Sequence, residues 1–215
     1  MNVSSARHVI FDFDGVLGDT GELNYGIVRE LHPEVVREQY FRDHHLGNVY
    51  ENPQHVGVPF TPTSSVAYFA TYAERLGAAH VAAAVAPVRA LLRAYTLHIV
   101  TSNCEDAITQ ALAESGIGDS FCSILGRQAH QSKVEKWQRI AAEYDIELTE
   151  SVYVTDTVGD VCEAQRVGLP TIAVTFGYHN ETLLAAYEPD HIAHSWDAVL
   201  EAIDTRLRSC MVVGP

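Results

Sequence analysis

The chain has 215 residues, enough for one domain, or one domain carrying an insertion, with a proper core. Its formal net charge of −14, from 14 basic and 28 acidic residues, argues against nucleic acid as a partner, because that contact is driven by clustered Lys and Arg. The four cysteines, Cys104, Cys122, Cys162 and Cys210, form no C-x-x-C pair and no zinc-spaced cluster, which predicts reduced thiols in a cytoplasmic protein.

The first predicted element is a strand. Val9 to Phe11 is an apolar run of the kind buried on both faces of a parallel sheet, and it ends in Asp12-Phe13-Asp14-Gly15. Alternate side chains of an extended chain share a face, so both carboxylates can lean into one cleft at the strand's carboxyl end. Two like charges so placed resist joint ionisation unless a cation or a shared proton relieves them. The chemistry that suits them is metal-assisted transfer, with one carboxylate as nucleophile and the other as acid or base; the alternative at this point is an ordinary strand-to-turn transition, since Asp and Gly are common turn residues. One Arg and only a four-residue apolar run come before Asp12, so no signal peptide is expected.

Residues 21–85 read as a small helical insertion. Leu23, Ile27, Val28 and Leu31 mark one amphipathic face that ends before Pro33. Val66, Phe69, Ala70, Ala73 and Leu76 mark a second that stops at Gly77, and the Gly- and Pro-rich stretch from Gly47 to Ser65 is expected to be loop. The Ala-rich segment 78–95 is broken by His80, Pro87, Arg89 and Arg93, so no membrane span is expected.

From Pro87 onward, strands and helices alternate. Predicted strands are Leu97 to Val100, Ser123 to Leu125, Val152 to Val154, Thr171 to Phe176 and His191 to Ala193. The helices between them carry Ile108 and Leu112, then Val134, Trp137, Ile140 and Tyr144, and a last helix carries Trp196, Val199, Ile203 and Leu207. This alternation predicts an α/β fold, a doubly wound parallel sheet with helices on both faces. The core would comprise residues 1–20 and 86–215.

Polar residues gather after successive strands: Asp12 and Asp14, Thr101 and Ser102, then Asp156, with Asp160 one helical turn later. Right-handed crossovers bring all of them to one sheet edge. The chain has 12 Arg but only two Lys, Lys133 and Lys136. Ser132 is a candidate N-cap that would set Lys133 at the start of a helix, while Lys136, in the first turn, is expected to point to solvent opposite the apolar face.

These motifs resemble the haloacid dehalogenase-like superfamily, in particular its phosphoglycolate-phosphatase-like branch with a helical cap between the first two motifs. Asp12-Phe13-Asp14-Gly15-Val16-Leu17 with Asp19-Thr20 is similar to its first motif, Ile99 to Asn103 to its second, Lys133 to its third, and Val152 to Asp160 to its fourth. Gly168 to Val174, then Phe176-Gly177-Tyr178, is similar to the segment beyond the fourth motif in that branch. The chain departs from the pattern at Thr155, where members usually carry Gly, and at Val134, where Pro often comes after the lysine, leaving Lys136 as a possible substitute.

The resemblance implies Asp12 as nucleophile, Asp14 as acid and base, Thr101, Ser102 and Lys133 as phosphate ligands, and Asp160 as the group orienting Lys133 or a metal-bound water. It implies Mg²⁺ held by Asp12, the Asp14 backbone carbonyl and Asp156, and a small phosphorylated metabolite as substrate for a monomer or homodimer. Asp14 speaks for an oxygen leaving group rather than halide, which needs no proton. Residues 21–85 contain no lysine for Schiff-base phosphonate cleavage. Rival readings are a sugar phosphomutase, against which Asn24 stands where a His is usual, and a non-catalytic phosphate-binding protein. Specificity would come from the cap, with Arg29, Arg37, Arg42, His32, His44, His45 and Tyr50 as candidates.

Overall fold

The computed structural model of the chain describes residues 7–47 and 61–209. Six strands form one sheet: β1 His8–Phe11, β2 Thr96–Val100, β3 Ser123–Leu125, β4 Val152–Thr155, β5 Thr171–Val174 and β6 His191–Ala193. Their order is β3-β2-β1-β4-β5-β6, and every pairing is parallel. The sheet runs outward from β1 in both directions, so β1 lies at the switch point where open α/β sheets hold ligands. Register makes this concrete. Phe11 is level with Ile99 on one side and Val154 on the other, so the residues just beyond all three emerge at the same edge.

Ten α-helices are described with the sheet: α1 Gly21–Leu31, α2 Arg37–Asp43, α3 Pro62–Arg75, α4 Ala78–Val81, α5 Val85–Leu91, α6 Glu105–Glu114, α7 Lys133–Tyr144, α8 Val158–Gln165, α9 Glu181–Ala185 and α10 Trp196–Ser209. Val9, Ile10 and Phe11 are wholly buried because both sheet faces are covered. Ile10 packs with Val134, Trp137 and Ile140 of α7, while Val9 and Phe11 share the opposite core with Val88, Ile108, Val199 and Ile203. No described helix is long and apolar enough to cross a membrane.

Between β1 and β2, α1 packs against α3, and α4 packs against α6, which comes after β2. The segment starts and returns at one point, where the Asp19 amide donates to the His80 carbonyl (2.8 Å). Two readings of this segment need correction. In α3, Val66 is 72% exposed, and Ala70 and Ala73 also face outward; the buried stripe is Tyr68, Tyr72 and Leu76, spaced four apart. The helix also begins at Pro62, capped by Thr61, so Ser65 is helical; the middle of the expected Gly47–Ser65 loop lies outside the described residues. Elsewhere β5 stops at Val174, two residues short of Phe176, which is 40% exposed.

Candidate active site

The turn after β1 places its two carboxylates differently. The Gly15 amide donates to the Gly18 carbonyl and the Gly18 amide to the Phe13 carbonyl, both at 2.8 Å, closing a tight loop. Gly15 has φ +73°, and a Cβ there would lie 1.9 Å from Asp156 Oδ2, so only glycine lets the loop pass so close. Asp12 Oδ1 accepts from the Phe13 amide (2.7 Å), and Asp12 Oδ2 from Lys133 Nζ (2.8 Å). Asp14 turns the other way. Its Oδ1 accepts from Thr20 Oγ1 (2.7 Å), Asn24 Nδ2 (3.1 Å) and the Tyr72 hydroxyl (2.9 Å), and its Oδ2 from Asn103 Nδ2 (3.2 Å).

Lys133 opens α7 and is buried. Its Nζ donates to Asp12, to Asp160 Oδ2 (2.6 Å) and to the Tyr153 hydroxyl (3.0 Å). Asp160 Oδ2 also accepts from the hydroxyls of Tyr153 and Thr155, each at 2.8 Å. Thr155 therefore supplies a donor where glycine would supply none. Burial drives the Asp160 carboxyl up, but Lys133 and these donors overcome it and hold the group below its ordinary value. For Lys133 burial lowers and the two carboxylates raise, and the carboxylates win. The ammonium is therefore held charged between them.

Lys136 is not on the surface. It is fully buried, and its Nζ donates to the Thr101 carbonyl (2.6 Å). Lys133 lines the cavity and meets Asp12, while the second lysine holds the end of β2. Burial, and then the neighbouring Lys133 charge, depress the Lys136 amine to about 7. Beyond it the Asn103 amide donates to Thr101 Oγ1 (3.1 Å), leaving the Thr101 hydroxyl proton free to turn elsewhere.

Asp12, Asp14, Thr101, Ser102, Lys133 and Asp160 line one cavity of about 70 Å³, together with His45, Thr157, Glu163 and Tyr178. Asp156 lies outside that lining, fully buried beside the Gly15 turn. Its Oδ2 accepts from the Tyr178 amide (2.7 Å), whereas its Oδ1 is buried with no hydrogen-bond partner. Burial pushes the Asp156 carboxyl up to about 8, against the Tyr178 amide, and pushes Asp12 well up against Lys133. An orphaned carboxylate oxygen next to a second buried carboxylate is what a hard cation satisfies, and backbone carbonyls and water suit such an ion as further ligands. Among the described residues no group of three or more His, Cys, Asp or Glu side chains is disposed around a metal, so the fit is to two carboxylates plus backbone.

Of the candidate specificity residues, His45 reaches the cavity. Arg37 pairs with Glu22 and Arg42 with Asp43 at the surface, Arg29 is exposed, and His32 sits beside Glu34. Tyr50 lies outside the described residues. His44 is buried, and its carbonyl accepts from His179 Nε2 (2.8 Å), while His179 Nδ1 accepts from the Val158 amide (3.0 Å). The Gly159 amide donates to the His45 carbonyl (3.1 Å), so the segment after α2 is pinned to the start of α8. Nothing in the sequence marks Tyr72, Asn24 and Asn103 as partners of Asp14, or Tyr153 as a partner of Asp160. A buried phenol at helical spacing reads as core, and only its distant partner reveals what its hydroxyl does.

Among curated proteins, the chain is 28% identical over 114 residues to a phosphoglycolate phosphatase of Vibrio vulnificus, covering 51% of this chain and 49% of that one. The chain thus spans about half the length of such relatives. Solved structures share its fold. A predicted phosphoglycolate phosphatase from Haemophilus somnus superposes with a TM-score of 0.74 at 17% identity, over 94% of this chain and 99% of that one. A predicted phosphatase from Clostridium acetobutylicum gives 0.72 at 20% identity, over 93% and 99%. Residues 9–174 match the model of the haloacid dehalogenase-like hydrolases as a continuous stretch that includes all four motifs, and the chain belongs to that family.

Proposed function

We propose that the chain is a Mg²⁺-dependent phosphatase that hydrolyses a small phosphate monoester through an aspartyl-phosphate on Asp12, with residues 21–85 as its cap. The observation that carries this reading is the convergence of Asp12, Lys133, Thr101 and Asp14 on one small cavity at the switch point of the sheet. Its volume of about 70 Å³ is on the scale of a phosphoryl group. Phosphatases named among the relatives and structural neighbours support the same class.

Asp12 attacks phosphorus in line, and the bond to the ester oxygen breaks as its electron pair passes to that oxygen. Asp14 gives the departing oxygen a proton, then takes one from the water that releases phosphate and restores the Asp12 carboxylate. Lys133 and the Thr101 hydroxyl hold the non-transferring oxygens, with Ser102 beside them, and Asp160 keeps the Lys133 ammonium aimed at the cavity. Asp12, Asp156 and the Asp14 carbonyl would hold Mg²⁺, which would offset the repulsion between nucleophile and phosphate.

The test is phosphate release from a panel of small monoesters with and without Mg²⁺. Turnover that Asp12→Asn abolishes is expected. Turnover surviving in that variant would remove Asp12 as nucleophile, and no turnover across the panel would favour a binding role.

A further inference from the structure

The four donors to Asp14 are unevenly shared. Oδ1 accepts three hydrogen bonds, from Thr20, Asn24 and Tyr72, and Oδ2 accepts one, from Asn103. A carboxylate oxygen offers roughly two lone-pair directions, so Oδ1 is saturated while Oδ2 keeps a site for a proton. Two of the Oδ1 donors lie on α1 and α3, in the insertion between β1 and β2, and Asn24 in turn donates to the Tyr178 hydroxyl (2.6 Å).

Tyr72 is fully buried, in the stripe with Tyr68 and Leu76. Its ring alone would serve packing. A hydroxyl carried into such a place is costly without a partner, and Asp14 is the partner it meets. Burial, then the Asp14 charge, push the Tyr72 hydroxyl well above its ordinary range, so it stays a phenol that donates.

Building on the phosphatase reading, we propose that Tyr72 is a positioning residue for proton transfer. Its hydroxyl, delivered by α3, holds Asp14 Oδ1 toward the inserted helices and leaves Oδ2 as the oxygen that exchanges the proton. In the first step the proton passes from Oδ2 to the ester oxygen as the bond to phosphorus breaks and Asp12 bonds phosphorus. In the second it passes from water to Oδ2 as the water oxygen bonds phosphorus and the Asp12 carboxylate departs. Tyr72 exchanges no proton in either step. The consequence is that α3 must be docked for the acid to be aimed, which ties proton transfer to the inserted helices.

The experiment compares kcat/KM for ethyl phosphate, whose alkoxide needs a proton, with kcat/KM for 4-nitrophenyl phosphate, whose phenolate does not. Because kcat/KM reports events up to the first irreversible step, later hydrolysis of the aspartyl-phosphate does not enter. Tyr72→Phe is expected to lower the ethyl phosphate value about 10- to 100-fold, the scale of a misaimed catalytic group, and the nitrophenyl value less than about threefold. In an Asp14→Asn background the same change should alter the ethyl phosphate value less than about twofold, because the tyrosine acts through the aspartate. Equal losses on both substrates, full additivity with Asp14→Asn, or no loss at all would each overturn the inference. If Tyr72→Phe fails to fold, Asn24→Ala removes another Oδ1 donor and carries the same expectation. Absence of turnover in the unsubstituted chain would overturn the phosphatase reading and this inference together.

Discussion

Lys136→Met tests how a buried amine behaves under the turn that comes after β2. Methionine keeps the apolar stem and removes the nitrogen that holds the Thr101 carbonyl. An amine ordinarily near 10.5 is depressed to about 7 here, first by burial and then by Lys133. Between those values the unfolded chain holds a proton that the folded chain lacks. The stability this group contributes is therefore fully present above the unfolded value and is lost as pH falls toward the folded one. At pH 7 the loss is roughly 4 kcal/mol, and it shrinks by up to about 1.4 kcal/mol per pH unit on going up. The variant is free of that term but leaves a buried carbonyl unpaired, at about 1–3 kcal/mol. Lys136→Met should accordingly be the more stable protein near pH 7 and the less stable one near pH 10, with the curves crossing around pH 9. Urea unfolding of both proteins from pH 7 to 10, at constant m, measures this directly. Parallel curves would refute the reasoning. Activity should fall about 10- to 100-fold whatever the pH, because the Thr101 turn loses its anchor.

Lys133→Ala should cost about 2.7–4 kcal/mol of transition-state stabilisation, read from kcat/KM, since a preorganised charge next to Asp12 is lost. Asp156→Ala should remove the rise in thermal midpoint that Mg²⁺ gives the unsubstituted protein, and a midpoint still raised by Mg²⁺ would strike Asp156 from the ligand set. His8 and His98 stack in the core with Nδ1 and Nε2 2.8 Å apart, and burial lowers both, His98 to about 4. They are buried neutral, so their contribution is full above the unfolded value near 6.5 and is lost on acidification toward the folded one, about 3 kcal/mol for His98. His98→Leu should flatten the stability curve between pH 6.5 and 4.5, measured by urea unfolding.

The sheet was legible because parallel strands covered on both faces are written as unbroken apolar runs, as in Val9 to Phe11 and Val152 to Val154. The site was legible as far as its residues come directly after those runs or open a helix, which covers Asp12, Asp14, Thr101, Asp156 and Lys133. Lys136 was misplaced for a physical reason. A lysine in a first turn is ordinarily solvated, and its burial here depends on a carbonyl 35 residues away. The stripe on α3 was misread because alanine and valine count as apolar by composition, while tyrosine declares itself only through its hydroxyl's partner. Tyr153 and Thr155 illustrate the same point on β4, where inward polar atoms converge on Asp160 from what reads as plain strand. The short helices α2 and α9 have too few turns for a periodic signal.

The abutment of the His45 carbonyl on Gly159 sets how closely the segment after α2 can lie on the start of α8. A Cβ at that position would lie 2.7 Å from the carbonyl oxygen and 3.0 Å from Gly47 Cα, both backbone atoms that cannot rotate aside. Residue 159 is therefore a gauge of roof height. A larger residue there would push the overhanging segment away from α8 and raise the roof of the cavity that His45 and Gly47 help to line. One letter of core sequence, more than a hundred positions from the segment it supports, thus sets how low that segment can lie.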